Sequence, residues 1–309
     1  MSTEGGTKAI VAALTANFGI AVTKFIAFLV SGSSSMLAES VHSLADSGNQ
    51  VLLLVGSKRA ERAATSSHPF GYGRERYVYA FMVSIVLFSI GGVFSLYEGV
   101  HKLQHPEPID AAWLPIAVLL IAIGLESFSL RTALKESAEQ RQGISVLTFV
   151  RRAKAPELPV VLLEDIAALI GLVLALVGVV IAVVTGNGIW DGAGTVAIGV
   201  LLVIVALVLG VETKSLLLGE GASVVDVDAI TAAATNGPEI DGVIHLRSLY
   251  LGPDELLVAM KVAVSPSATA GQIAAAIDAV EVRIRAAVPA ARVIYIEPDL
   301  RKPAAAPTS

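Results

Sequence analysis

Long apolar runs separated by short polar stretches fill the first two thirds of this chain, and the pattern changes near residue 212. A helix needs roughly 20 apolar residues to cross about 30 Å of hydrocarbon. Six segments reach that length, at roughly 8–30, 36–57, 77–100, 111–133, 158–185 and 190–212. The connections Val30–Met36 and Thr185–Trp190 are so short that they predict tight antiparallel hairpins.

Past this region, Ser223–Thr235 has helical periodicity with Ser223 placed as an N-cap. Gly242–Leu251 and Glu255–Val264 alternate like strands joined through Gly252-Pro253-Asp254. Thr269–Val288 predicts an amphipathic helix stopped by Pro289, and Arg292–Glu297 a third strand. The expected architecture is an all-α six-helix transmembrane bundle followed by a small α+β domain in the order α-β-β-α-β, ferredoxin-like or metallochaperone-like. Its helices should cover one face of a three-stranded sheet. The expected domains are 1–212 in the membrane, 213–300 outside it, and a Pro/Ala-rich disordered tail at 301–309.

Composition agrees with this division. Of the 309 residues, 54% are hydrophobic and 16% charged, against about 25% charged in a typical soluble domain. Charge placement sets the expected orientation. The second-to-third connection holds Lys58, Arg59, Arg62, Arg74 and Arg76; the fourth-to-fifth holds Arg131, Lys135, Arg141, Arg151, Arg152 and Lys154. The opposite connections hold only Lys102. The positive-inside rule then places both termini in the cytoplasm. The N-terminus shows neither a cleaved signal nor a transit pattern, so the expected location is a bacterial plasma (inner) membrane. There is no cysteine, which excludes thiolate metal sites. No nucleophile with a base, phosphate loop or basic nucleic-acid face is present, so neither an enzyme nor a nucleic-acid partner is expected, and no cofactor. FGYG at 70–73 is only a weak glycine pattern.

Candidate chemistry lies where polar groups are expensive. A charge at the bilayer centre costs about 2.5–3.5 kcal/mol on insertion scales and persists when paired, wet or functional. In the second span His42 and Asp46 are i and i+4 on one helix face, with Glu39 and Asn49 on the same stripe. Such a pair suits a divalent ion such as Zn2+ or Co2+. The fifth span supplies Glu164 and Asp165. Asp46 lies about 18 Å in from Lys58, and Asp165 about 16 Å in from Lys154, at 1.5 Å per helical residue. The two acids therefore come to similar depth. In the competing reading, His42 only hydrogen-bonds Asp46 or Asp165 and joins two helices. Asn17 reads as a packing or pathway-lining amide, Glu39 as a pathway residue or a packing hydrogen bond, and Glu126 as a relay or a partner of Arg131. Lys24 is expected to snorkel to the outer surface, and Asp191 to cap the sixth span. Arg74 and Arg76 either anchor the inner surface or pair with Glu212 or Glu220.

The segment SMLAESVHSLADSGNQ (35–50) is similar to the second-span metal motif of the cation diffusion facilitator family. HPFGYGRERY (68–77) resembles the start of that family's third span, and Leu162–Gly171 resembles its zinc transporter 9-like branch. The resemblance covers almost the whole chain. It implies a homodimer in the lipid bilayer that exports a divalent cation, with Zn2+ expected, in exchange for protons through four ligands, two each from spans two and five. Carried over by position, these are His42, Asp46, Asp165 and Val161. Valine cannot bind, so Glu164, about 100° around the helix, or a water takes the fourth place. Of the family's interfacial site only His68 remains, and the tail has the single His245. A passive metal channel and a membrane-bound metal sensor are the alternatives.

Overall fold

The computed structural model describes residues 3–141 and 143–300, with side chains from Asn17 onward except those of Glu136, Glu139 and Gln140. The expected tail 301–309 lies outside the described residues. The chain forms two compact units: residues 1–59 with 75–214, and 60–74 with 215–309.

The first unit is helical. Its elements are α1 (Thr3–Ser31), α2 (Ser34–Ala60), α3 (Glu75–Val86), α4 (Phe94–Gln104), α5 (Trp113–Arg141), α6 (Val146–Arg152), α7 (Glu157–Thr185) and α8 (Ile189–Leu218). A π-helical turn, Leu87–Val93, joins α3 to α4, so that 75–104 runs as one helix of 30 residues. Four stretches are long and apolar enough to cross a membrane: Glu75–Gln104, Trp113–Lys135, Glu157–Thr185 and Ile189–Leu218. The expectation of six spans also counts α1 and α2. The part of α1 whose side chains are described, Asn17–Ser31, is a shorter apolar helix, and α2 owes its lower hydropathy to the polar stripe that faces inward.

Packing explains the arrangement. Met36, Val83, Leu87, Leu119, Ala167, Leu172, Ile198 and Leu202 form the buried core, while Phe128, Val184 and Val211 point outward and stay exposed. An apolar exterior suits lipid as the solvent. Glycines bring α3–α4 and α8 close. A Cβ on Gly99 would stand 2.7 Å from the Val196 nitrogen, and one on Gly199 would stand 2.7 Å from the Leu96 nitrogen. Small residues at such crossings let backbones approach. The π-turn contains Gly91, packed on Leu202, and Gly92, packed on Val203. The short helix α6, capped by Ser145, was not apparent from periodicity, since seven residues are too few to show one.

The second unit holds α9 (Val224–Thr235), β1 (Gly242–Gly252), β2 (Glu255–Ala263), α10 (Ala270–Ala287) and β3 (Ala291–Asp299). The sheet order is β1-β2-β3. β1 and β2 form an antiparallel hairpin, and β2 pairs parallel with β3 across the α10 crossover. Leu256, Val258, Met260 and Val262 alternate inward onto Ile230, Val280 and Ile284 of the helices. Ser223 caps α9, and Thr269 with Gln272 forms a reciprocal capping box on α10. The loop 60–74 belongs to this unit because Gly73 lies against Leu251 and Gly252; a Cβ there would come within 2.7 Å of the Leu251 carbonyl oxygen. In that loop exposed His68 rests on the Tyr72 ring, with centroids 4.6 Å apart.

Candidate metal pathway

The polar stripe of α2 turns inward. Glu39, His42 and Asn49 are buried, and the Asp46 side chain is 17% exposed. Positions 39, 42, 46 and 49 share one helix face, and the opposite face, with Leu44, Val51 and Leu54, is exposed. The helix is thus polar inside and apolar outside, the reverse of a soluble amphipathic helix, as a lipid solvent requires.

His42 Nδ1 stands 3.5 Å from Asp46 Oδ1. Neither His42 ring nitrogen has a hydrogen-bond partner, nor has Asp46 Oδ1. Buried polar atoms are almost always satisfied, so these two neighbouring groups stand out as candidates for a ligand. Two donors bound at about 2.0 Å to one tetrahedral ion are about 3.3 Å apart, close to the observed separation.

Asp46 opens onto a cavity of about 90 Å³, bordered by α1, α2, α5 and α7. Its acidic lining is Asp46, Glu126, Glu164 and Asp165, and its amides are Asn17 and Gln50. Asn17 donates to Gln50 at 3.3 Å. Asn49 donates to Glu164 Oε1 at 2.7 Å, tying α2 to α7. Ser129 of α5 donates to Asp165 Oδ2 at 3.1 Å. Four carboxyl groups around one small cavity in an apolar bundle make an electronegative pocket for a cation.

The structure brings Asp46, Asp165, Glu164, Glu126 and Asn17 to this cavity, whereas His42 stands behind Asp46 and does not line it. Among the described residues no three His, Asp or Glu gather tightly enough to hold a metal ion. Asp46 and Asp165 thus face a shared space without sharing a ligand position. Val161 lies on the cavity wall, where a donor one turn before Asp165 would have stood.

Several polar residues take partners other than those expected. Lys24 does not snorkel. It is 1% exposed, and its ammonium donates to Glu39 Oε2 at 2.9 Å and to Ser43 Oγ at 2.8 Å. A carboxylate within reach outcompetes the long path to water. Asp191 does not cap its own helix. Asn187 takes that place, accepting from the Ile189 nitrogen at 3.0 Å, and Asp191 turns to the start of α2. There it accepts from Ser33 Oγ at 2.9 Å and from the backbone and hydroxyl of Ser34 at 2.7 and 3.1 Å. Arg76 pairs with Glu157, with a second contact of 2.8 Å, and Glu212 lies 3.9 Å from Arg151. The first turn of α7 is nearer to the start of α3 than the sequence suggests. Ser129 and Gln50 were missed, although Ser129 follows Glu126 by three residues and Gln50 follows Asp46 by four, the spacing of one helix face.

Helices with an apolar exterior enclosing a pocket of acids define the class: a multi-pass membrane transporter, not an enzyme. Residues 10–218 match the cation efflux transmembrane domain. The chain belongs to the cation diffusion facilitator family, in its zinc transporter 9-like branch. It is 30% identical over 251 residues to the human mitochondrial proton-coupled zinc antiporter SLC30A9, covering 81% of this chain and 44% of that one. It is 31% identical to metal tolerance protein C4 of Arabidopsis thaliana, covering 80% and 54%. MamM of Magnetospirillum gryphiswaldense is 22% identical, over 85% and 78%. The chain thus spans about half the length of the first two relatives. Among solved structures, a variant C-terminal domain of MamM aligns at 28% identity and a TM-score of 0.24, covering 25% of this chain and 93% of that domain.

Proposed function

We propose that this protein exports a divalent metal cation, Zn2+ first among them, from the cytoplasm in exchange for protons. In this reading α1 and α2 cross the membrane with the four apolar helices, making six spans with both termini cytoplasmic. Residues 1–212 are the transport domain and 213–300 a ferredoxin-like cytoplasmic domain that joins two copies in a homodimer. The location is an integral membrane one, with a bacterial plasma membrane as the proposed site. The observation that supports this most is the acid-lined cavity with Asp46 on its wall and His42 Nδ1 3.5 Å from that carboxylate. The named activity of the SLC30A9 relative, a proton-coupled zinc antiporter, points the same way.

His42, Asp46 and Asp165 bind the ion, and Glu164 or a water fills the place left by Val161. A rotation of the Asp165 carboxyl away from Ser129 brings it toward Asp46. Asn17, Asn49, Glu126 and Glu39 line the path. Each ligand must shed its proton to coordinate, so metal and protons compete for the same atoms. That competition couples the two fluxes as helices rock between access states.

The test is zinc flux in proteoliposomes driven by a pH gradient. Asp46→Ala should lower the initial rate at least tenfold; undiminished flux in that variant defeats the reading. A passive channel is excluded if flux collapses when the pH gradient is removed, and a sensor if turnover is seen at all.

A further inference from the structure

A buried charge pair lies beyond the cavity's lining residues, toward the α1–α2 hairpin. Ile20 of α1 and Asp46 of α2 line that cavity. Lys24 follows one turn farther along α1, and Glu39 lies two turns back along α2, both toward the hairpin that joins these helices. Their side chains are 2% and 0% exposed and meet at 2.9 Å, and the ammonium also holds Ser43. This ion pair spans from α1 to α2 on the hairpin side of His42. Two charges taken so completely out of water stabilise a fold poorly, because desolvation offsets their attraction. A lysine here has a function other than adhesion.

Glu39 is closely flanked on a second side. Its free oxygen, Oε1, has no hydrogen-bond partner. The same oxygen faces the bare backbone of Gly171 on α7, where a Cβ would stand 2.8 Å from it. Glu39 thus takes its charge partner from α1 and only bare backbone from α7, and the three helices come together at this carboxylate.

We propose that Lys24 and Glu39 form the outer gate of the transporter. The inference rests on the transport reading and its orientation, which put the α1–α2 hairpin outside. The tethered ammonium holds Glu39 neutralised and seals the cavity while it faces inward. A divalent ion leaving His42 and Asp46 competes for the same carboxylate with twice the charge. Lys24 then yields Glu39 to the ion, the helices part, and after release the ammonium returns to close the path. Lys24 is a positioning residue in this scheme, and Glu39 a transient contact for the ion.

The chain lacks cysteine, so one introduced thiol reports on opening without background. Ser40→Cys sits beside Glu39 at a position 6% exposed. In right-side-out vesicles carrying the full chain, a membrane-impermeant maleimide should label it slowly. Labelling should accelerate at least fivefold in Lys24→Met/Glu39→Gln, which leaves no unpaired buried charge. It should return toward the slow rate in the charge-exchanged pair Lys24→Glu/Glu39→Lys. Gly171→Ala, which presses on Glu39 without altering charge, should also speed labelling, so the test survives misfolding of either charge variant. Equal labelling in all of them overturns the gate, whatever happens to flux. Loss of the transport reading shows separately, as undiminished flux in Asp46→Ala, with labelling still interpretable.

Discussion

Removing the carboxylate of Asp191 should loosen the start of the helix that carries His42 and Asp46. The side chain is fully buried and accepts from two hydroxyls and two backbone nitrogens, those of Ser34 at 2.7 Å and Ser35 at 3.3 Å. It therefore caps α2 from another helix. A lost N-cap costs about 0.5–2 kcal/mol, and single hydrogen bonds to a charged group contribute about 1.5–3 kcal/mol. These terms overlap, because Ser33, Ser34 and Ser35 reorganise together and Ser34 and Ser35 still reach Thr195 at 2.9 and 3.1 Å. Asp191→Ala should then destabilise the first unit by about 3 kcal/mol. Asp191→Asn, which keeps one acceptor oxygen but turns an amide toward donors, should cost roughly half as much. At about 2–4 °C per kcal/mol for a unit of this size, the Ala variant should melt about 6–12 °C lower in detergent, read by tryptophan fluorescence. A shift under about 2 °C refutes the cap as the element that holds α2.

The remaining predictions concern packing, capping and pH. Gly99→Val should destabilise the first unit by at least about 2 kcal/mol through overpacking against Val196, while Gly124→Ala, with nothing within 4 Å, should melt like the parent; equal melting of both variants contradicts the close α4–α8 crossing. Thr269→Ala should cost about 1 kcal/mol and speed hydrogen exchange in the first turn of α10 about fivefold, with no change expected if the capping box is inert. At alkaline pH the second unit should lose stability. Burial, with Asp226 and Glu220 nearby, raises the Tyr250 hydroxyl above its ordinary 10.0, and hydrogen bonds to Glu297 and Asp299 raise Lys261 above 10.5. In both cases the folded state keeps a proton that the unfolded chain sheds, so stability is full below pH 10.0 and falls as pH rises above it. Tyr250→Phe should blunt the first part of that fall in a chemical melt followed at pH 9 and 11; an unchanged pH slope counts against it.

Much of the helix and strand layout was readable before any coordinates. Strands appear at 242–252, 255–263 and 291–299 because alternation of apolar residues is a local property that burial on one face imposes. The caps at Ser223 and Thr269 likewise need only their own neighbours. The inward stripe Glu39, His42, Asp46 and Asn49 follows from helical geometry and the high cost of polar groups in lipid. What could not be read was which partner each of these groups takes. Lys24 could reach water or Glu39; Asp191 could serve α8 or α2; Asp165 could face Asp46 or accept from Ser129. Each choice depends on distances between helices that are far apart in sequence.

The sequence by itself determined that the chain lives in a membrane, that the four segments 75–104, 113–135, 157–185 and 189–218 are apolar enough to enter it, and which polar residues had to be hidden from lipid. Those properties are sums over consecutive residues and their periodicity. Only the tertiary structure decided that Asp46 and Asp165 look onto one cavity with Glu126 and Glu164, that His42 does not line it, and that Lys24 pairs with Glu39. Side chains 15 to 115 residues apart meet there because glycines and small residues let the helices cross closely. A hydrogen bond between helices is set by that crossing to within an ångström, a precision that no local pattern encodes.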